Sequence, residues 1–459
     1  MKKNKKSKSL PLLSILLISA LFGGSVWSKA ACEPVVESVS LRRLSGKLDH
    51  IYMFNSNSPE IVGGEGILLS TLSPVAKEYP EAHLDHVFHD RFAVFMHHIN
   101  KQTAPETTEA KSLLRLCLYA VNESNKEAKL VPLKRATYLS QPDAPFAPRE
   151  SLLSDPEGRF YSGPGDRVTR DFLFDQAAAP QAITIGPHGT KLVEDLTVPV
   201  AGLRPASNGR SYLGYFQTNR PLRLVLLSSF TKDGEAPAPI DPIEPALADK
   251  ANLVGGREGT LKPPTPPLAK GYLIYGRVAG VQIGSEIVAH QSIDLREGKS
   301  LKVGLPISSL RGGTYGTGQV QTARMARRYS DTAYGAHGNY GVHYLVKLNL
   351  KNHGKSPRKV AISFNCPLKE SGLKPKNSVT FLSPCEKNVF FRGEVALTEE
   401  QFPGKREVWH LVLHKGERGK VLSEVSLDPY EAKAVDFELY YPADATPPQL
   451  LMVESPQVN

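Results

Sequence analysis

The sequence lacks the motifs by which several large enzyme classes are recognised. Only 4 of its 459 residues are cysteine, and no Cys-x-x-Cys pair occurs. It also contains no Gly-x-Ser-x-Gly elbow, no His-Glu-x-x-His motif, no phosphate-binding P-loop and no EF-hand loop. These absences argue against a thiol oxidoreductase, an α/β-hydrolase, a common zinc protease and a P-loop NTPase.

Long apolar runs are also missing. The longest lies at residues 10–22 and is interrupted by a proline and two serines, whereas a membrane-spanning helix needs about 20 apolar residues. Lysines precede this run and the small residues Ser28 and Ala30 follow it, which is the pattern of a cleaved secretory signal peptide. Residues 1–30 are therefore predicted to be a signal peptide. The mature chain is expected in the periplasm, in the cell envelope or outside the cell, with no transmembrane segment.

Acidic residues are fewer than basic ones, and the net charge of the chain is +10. Six lysines lie before residue 31, where no acidic residue occurs, so the mature chain has a net charge of +4. That charge is small for a chain of this length, and no nucleic-acid-binding module is visible. We therefore expect no nucleic-acid partner.

The four cysteines of an exported chain suggest disulfide bonds. Cys366 and Cys385 are close in sequence and are predicted to form one bond, which leaves Cys32 and Cys117 for a second. The alternative is that the cysteines are free and buried.

Apolar and polar residues alternate along much of the chain. Tyr344, Val346, Leu348 and Leu350 fall on one face, opposite polar residues such as Lys347. A period of two is typical of half-buried β-strands. The 37 glycines and 36 prolines leave little room for long helices.

Two stretches of the chain share one pattern: a strand, a tight turn that begins with asparagine, a second strand and a later turn with proline. The asparagines are Asn122 and Asn352, and the prolines are Pro187 and Pro429. The pattern is typical of a duplicated immunoglobulin-like β-sandwich, although any two sandwich halves can share such spacing.

The fold class predicted from these patterns is all-β, with two immunoglobulin-like β-sandwich domains. The first domain is expected at residues 31–230 and the second at residues 269–459. Residues 231–268 are rich in proline and are predicted to be a linker or a strap on the surface.

Histidines are concentrated between residues 83 and 98, which hold five of the 13. Imidazole and carboxylate groups are suitable ligands for zinc or copper. The spacing places neighbouring histidines on opposite faces of a strand, so ordinary hydrogen bonding is the alternative. The predicted ligands of a metal site are His83, Asp85, His97 and His98.

The segment at residues 311–341 contains seven glycines, four tyrosines and four arginines without apolar alternation. Such a long loop is usually functional or disordered. Tyrosine rings can stack on sugars and arginines can bind carboxylate or phosphate groups. The alternative is a loop that covers a sheet edge. The predicted binding residues are Arg311, Tyr315, Arg324, Arg327, Arg328, Tyr329, Tyr334, His337 and Tyr340.

Several longer strings of the sequence are specific enough to indicate a family. They include Phe54-Asn-Ser-Asn-Ser-Pro-Glu60, Gly64-Glu-Gly-Ile-Leu-Leu-Ser-Thr71, Gly163-Pro-Gly-Asp-Arg-Val168 and Ala336-His-Gly-Asn-Tyr-Gly-Val342. With these strings, most of the mature chain resembles a family of exported cyanobacterial proteins known only as a domain of unknown function. The resemblance implies a lineage and a compartment, and it implies no activity and no catalytic residue.

The sequence therefore predicts a non-catalytic, exported binding protein that holds an envelope polysaccharide or a protein partner through the loop at residues 311–341. One alternative is a metal-dependent enzyme built on the histidine and aspartate cluster, with zinc or copper as its cofactor. Another is a purely structural envelope component. No other cofactor is expected.

Overall fold

The computed structural model describes residues 32–102, 113–178, 181–231, 249–257, 262–369 and 377–456. The predicted signal peptide and much of the predicted linker, at residues 232–248 and 258–261, lie outside these ranges. No helix within them is long and apolar enough to cross a membrane.

The described residues are mostly β-strands. A short 3-10 helix lies at Pro80–Ala82, and an α-helix, α1, at Pro164–Leu173. The strands up to residue 231 are β1 (Glu33–Ser38), β2 (Ser40–Leu41), β3 (Tyr52–Ser56), β4 (Gly66–Ser70), β5 (Phe88–Lys101), β6 (Leu113–Val121), β7 (Ala128–Leu139), β8 (Leu152–Ser154), β9 (Ile183–Ile185), β10 (Thr190–Pro199) and β11 (Ser207–Thr231). The later strands are β12 (Ala279–Ile283), β13 (Glu286–Leu295), β14 (Leu301–Ile307), β15 (Ala323–Arg328), β16 (Gly335–Ala336), β17 (His343–Asn352), β18 (Arg358–Asn365), β19 (Ser378–Ser383), β20 (Val389–Glu399), β21 (Arg406–His414), β22 (Val421–Leu427), β23 (Ala432–Tyr440) and β24 (Gln449–Ser455).

These strands form four sheets. The largest has 11 strands in the order β10-β6-β11-β5-β3-β12-β15-β16, with β4 and β7 paired to β11 and β9 paired to β7. A six-stranded sheet has the order β13-β17-β23-β20-β21-β8, and a five-stranded sheet the order β2-β14-β24-β18-β22. The strands β1 and β19 form a separate pair.

The 25-residue strand β11 allows the largest sheet to fold back on itself. Its first part, residues 207–218, pairs with β5 and β7, and its last part, residues 223–231, pairs with β6 and β4. Its pairing with β5 shifts register between Thr218 and Leu222. One core therefore collects side chains from both ends of the strand, including Phe216 and Leu226.

The six-stranded and five-stranded sheets pack as two layers around a second core. Leu348 and Phe437 come from the first of these sheets, and Phe364 and Val453 from the second. Side chains at every other position of β17 point into this core, while Lys351 faces solvent. The predicted alternation along this strand is confirmed.

The predicted all-β character is confirmed, whereas two immunoglobulin-like domains joined by a linker are not confirmed. The strands β12 and β15 follow residue 268, yet they continue the sheet that contains β3 and β5. Conversely, β8 lies in the first predicted domain and pairs with β21. Strand pairing thus crosses the boundary drawn from the sequence, and the residue limits of the domains stay a prediction.

Helix α1 packs between the largest sheet and the six-stranded sheet. The ring of Phe172 lies 5.3 Å from that of Tyr215 on β11 and 5.4 Å from that of Tyr440 on β23. Lys134 donates a hydrogen bond to the carbonyl oxygen of Phe172 at 2.6 Å, and Arg406 donates one to the next carbonyl at 2.8 Å. Cations from both sides therefore stabilise the C-terminal end of the helix dipole.

A buried asparagine holds the tight turn in each half. Nδ2 of Asn122 donates to the carbonyl oxygen four residues later at 2.7 Å and to that of Gly186 at 2.9 Å. Nδ2 of Asn352 makes the same two bonds, both at 2.9 Å, the second of them to Asp428. Each Oδ1 accepts the backbone N–H two residues later. The pattern predicted from the sequence therefore recurs as one hydrogen-bonding network in both halves.

We expect Asn352→Ala to lower the free energy of unfolding by about 3 kcal/mol, because buried carbonyl groups lose their donor. Urea unfolding of the variant and the parent protein measures this difference. Asn349→Ala, at an exposed position of the same strand, is the control and should change the free energy by less than about 0.5 kcal/mol. Equal losses in the two variants would contradict a specific role for the buried amide.

Three buried titratable side chains meet where α1 faces β20 and β21. Nε2 of His410 lies 3.1 Å from Oδ2 of Asp166 and 4.0 Å from Oε1 of Glu394. Burial, together with the nearby Asp166 carboxylate, raises the pKa of Glu394 well above its ordinary value.

This shift makes stability depend on pH in a defined direction. A carboxyl group with a raised pKa in the folded state stabilises the fold fully below its ordinary pKa of 4.5, and this contribution is lost as the pH rises toward the folded-state value. Glu394→Gln keeps the shape and removes the titration. Thermal unfolding across pH should therefore show a smaller loss of stability with rising pH in the variant than in the parent. Identical slopes would show that Glu394 does not titrate in this way.

Candidate functional site: a cationic groove beside β15

Two adjoining cavities form a groove beside β15 and β16. The larger has a volume of about 600 Å³ and the smaller about 190 Å³, and Tyr275 and His337 line both. The larger cavity also has apolar walls, which include Leu273, Ile274 and Met325. A concave surface of this size, with apolar walls and few polar groups, is typical of a ligand-binding site.

The floor of the groove is fixed by pairing between distant strands. The strand β12 pairs with β3 on one side and with β15 on the other. At the wall, Gly312 has a φ of +77°, and a Cβ atom there would lie 3.0 Å from Cδ1 of Leu273 and 3.2 Å from the hydroxyl oxygen of Tyr275. A glycine is therefore required where this turn approaches the wall.

The charged side chains that line the groove are all cationic. Among the described residues that line the two cavities, none is acidic and four are cationic: Arg277, Arg311, Arg324 and Lys369. Lys369 Nζ lies 5.7 Å from the ring centre of Tyr275, and burial lowers the pKa of this lysine. The described lining contains no carboxylate, and only Arg277 has an acidic partner just outside it, so the other three cations favour anionic ligands.

Two of these cations already interact with other groups of the protein. Arg277 forms an ion pair with Glu60. Arg311 donates to the carbonyl oxygen of Pro266 at 3.1 Å and to that of Pro267 at 2.8 Å. Arg324 is exposed on β15, so its guanidinium is the more accessible donor for a ligand.

Polar atoms without hydrogen-bond partners in the described structure also line the groove. They are Oδ1 of Asn55, Oδ1 of Asn57, Oγ1 of Thr322 and Nδ1 of His337. Burial lowers the pKa of His337 to about 4, so its imidazole is neutral at neutral pH. A buried polar group is costly unless it is hydrogen-bonded, so a ligand that bonded to any of these four atoms would offset that cost.

Five of the nine predicted binding residues line the groove. They are Arg311, Arg324, Tyr334, His337 and Tyr340. The guanidinium of Arg328 lies 3.7 Å from the ring centre of Tyr334 and covers one side of that ring. Arg328 also donates to the carbonyl oxygen of Thr332 at 2.6 Å, so its role is to support the turn.

The other three predicted binding residues lie away from the groove lining. Tyr315 is buried, and its hydroxyl donates to the carbonyl oxygen of Pro448 at 3.0 Å. Tyr329 is also buried, and its hydroxyl donates to the carbonyl oxygen of Ala82 at 2.9 Å. Arg327 is exposed and faces the backbone of Asp85. The two tyrosines thus anchor the loop, because apolar burial and a buried backbone acceptor fix them together.

The predicted metal ligands are not brought together. Nδ1 of His83 lies 2.8 Å from the hydroxyl of Ser70, and Asp85 accepts a hydrogen bond from Arg223. His97 and His98 are consecutive residues on β5, and each makes its own hydrogen bond to a serine hydroxyl. Burial lowers the pKa of His83 and His98 to about 4 and that of His97 to about 3. These histidines are therefore neutral hydrogen-bonding groups.

The predicted disulfide bonds are absent, and all four cysteines are free. Cys117 is buried beside Tyr119 in a small cluster of the largest sheet, and burial raises the pKa of its thiol to about 11. Cys366 is buried in the core between the other two sheets. Cys32 and Cys385 lie at the ends of strands β1 and β19. Cys366 and Cys385 are close in sequence but do not form a disulfide bond, because the side chain of Cys366 points into a core.

Sequence reasoning missed several groove residues, including Asn55, Asn57, Tyr275, Arg277 and Lys369. Asn55 and Asn57 belong to one of the strings that carried the family resemblance, and polar residues at the end of an apolar strand were a usable signal. Tyr275 follows the proline-rich segment. Nothing in the sequence indicates that it meets a loop more than 30 residues later.

The fold and the groove together define the class of protein as a β-rich protein with a cationic, tyrosine-lined groove. A family model described as "Protein of unknown function (DUF3370)" matches residues 39–455, and the chain belongs to this family. A search of curated proteins gives no match. Among solved structures, the Macrobrachium rosenbergii nodavirus aligns over 97% of this chain and 97% of its own, with 9% identity and a TM-score of 0.12. A TM-score this low supports no conclusion about the fold.

The placement of Tyr329 gives a testable prediction. Tyr329→Phe should lower the free energy of unfolding by about 1–3 kcal/mol, because the backbone N–H of Ser70 and the carbonyl of Ala82 lose their buried partner. Chemical unfolding of the purified protein measures the loss. Tyr334→Phe, at the groove, is the matched control and should leave stability within about 0.5 kcal/mol. A neutral Tyr329→Phe would show that the buried hydroxyl does not anchor the loop.

Proposed function

We propose that the protein is an exported, non-catalytic binding protein that holds an acidic polysaccharide in the cationic groove. The observation that carries this proposal is the charge of the lining, with four cations and no carboxylate among the described residues of the two cavities. A carboxylated or sulfated sugar chain supplies the negative groups that such cations recognise.

The aromatic residues of the groove support a sugar ligand in particular. Tyr334 lines the larger cavity while Arg328 covers one side of its ring, so the ring is held in place before a ligand arrives. A fixed tyrosine offers an apolar face for a sugar ring at a low cost in conformational entropy. The unpartnered oxygens of Asn55 and Asn57 are suitable acceptors for sugar hydroxyl groups.

The compartment is part of the proposal. The lysine-rich start, the apolar run and the small residues before residue 31 have the pattern of a signal peptide. Export to the periplasm, the envelope or the outside would bring the mature chain to acidic envelope polysaccharides.

Binding of two polysaccharides of similar size tests the proposal. The mature chain, residues 31–459, is measured by affinity electrophoresis in gels that contain polygalacturonate or the neutral polymer dextran. We expect retardation by polygalacturonate only, and retardation should weaken as salt rises, because screening reduces the attraction. Equal retardation by both polymers, or by neither, would overturn the proposal.

A pair of arginine variants locates the binding surface. Arg324→Ala should weaken binding of polygalacturonate about tenfold or more, which corresponds to the loss of one charge-assisted hydrogen bond. Arg327→Ala is the matched control, since both arginines are exposed on β15 and only Arg324 lines the groove. The same loss in both variants would indicate attraction by the overall charge of the loop, and the groove would be excluded as the site.

A further inference from the structure

A second cluster of functional side chains lies far along the chain from the groove loop. Cys385 follows β19, His414 ends β21, and Glu417 lies in the turn after it. One potential ligand atom from each, a thiol sulfur, an imidazole nitrogen and a carboxylate oxygen, lies within 4.8 Å of the other two. All three residues are partly buried. The cluster is therefore compact and still open to solvent.

Backbone hydrogen bonds fix the two segments that carry these side chains. The N–H of Glu386 donates to the carbonyl of Lys415 at 3.1 Å, and the N–H of Lys415 donates to the carbonyl of Asn388 at 2.8 Å. Gly416 has a φ of +81°, and a Cβ atom there would lie 2.6 Å from Cγ of Leu382. The turn between His414 and Glu417 is thus held in one conformation before any ligand binds.

A fourth donor lies beside the cluster. The antiparallel register of β1 and β19 places Glu33 opposite Ser383, so Cys32 approaches the segment that contains Cys385. Cys32 is exposed, and its thiol is free.

We propose that Cys385, His414 and Glu417 bind a zinc-type divalent cation, with Cys32 as the fourth ligand. Zinc in proteins is held in tetrahedral sites by thiolate, imidazole and carboxylate groups, and this donor set combines all three. Binding requires that the thiols lose their protons, which pass to solvent as the sulfur–metal bonds form. Such a site ties the first strand of the described chain to the turn that follows β21.

Cobalt titration tests the proposal directly. Tag-free, reduced and metal-free protein of residues 31–459 is titrated with Co²⁺, which binds zinc sites and reports thiolate ligands through a charge-transfer absorption band. We expect saturation at one equivalent, a thiolate band, and displacement of the cobalt by Zn²⁺. The absence of a thiolate band, or of saturation, would overturn the proposal.

Variants separate the proposed ligands from other surface groups. Cys385→Ser and His414→Gln should each weaken Co²⁺ binding at least tenfold, and Cys32→Ser should reduce the thiolate band. His353→Gln is the matched control, because Nε2 of His353 lies 2.9 Å from a carboxylate oxygen of Asp294 at an exposed position. Full binding by the Cys385→Ser variant would overturn the site, and an unchanged band in the Cys32→Ser variant would exclude the fourth ligand.

Discussion

The groove depends on the antiparallel pairing of β3 with β12, which links strands that are more than 200 residues apart. This ladder runs from Ser56 opposite Ala279 to Tyr52 opposite Ile283. Because β15 pairs with the other edge of β12, it is the ladder that places the cationic loop beside the asparagines that follow β3. Without this pairing, the two walls of the groove would belong to unconnected sheets.

The same pairing orients one polar group toward the ligand site. Nδ2 of Asn55 donates to Oε1 of Gln282 at 2.6 Å, and Nε2 of Gln282 donates to the carbonyl of Gly284 at 2.9 Å. The amide of Asn55 is therefore held by its nitrogen, and its oxygen lacks a partner in the described structure. Asn122 and Asn352 differ from Asn55, because the nitrogen and the oxygen of each side-chain amide both form hydrogen bonds with backbone groups. The fully bonded asparagines stabilise their turns, whereas the unpaired oxygen of Asn55 costs stability unless another group bonds to it.

The local sequence pattern predicted individual strands and turns well, but it did not predict which strands pair with one another. The alternation at residues 344–350 predicted β17, and the asparagine turns predicted a network found in both halves. The pairing of β12 with β3 left no trace in the sequence, because strand partners are selected by long-range packing. Composition also marked the loop at residues 311–341 as unusual, but it did not separate Tyr329, which is buried, from Tyr334, which lines the groove. Both are tyrosines beside small or charged residues, and only the tertiary contacts distinguish them.

The charge of the groove also bears on the choice between binding and catalysis. Hydrolysis of a glycosidic bond ordinarily uses two carboxyl groups, one on each side of the bond. The described residues that line the groove include no Asp or Glu, and the imidazole of His337 packs 4.9 Å from the ring of Tyr275 without a carboxylate to orient it. Cations that attract an acidic chain would, moreover, lower the pKa of a general acid placed among them. If the proposed acidic chain binds here, its negative groups would therefore meet arginine and lysine side chains rather than a pair of carboxyl groups.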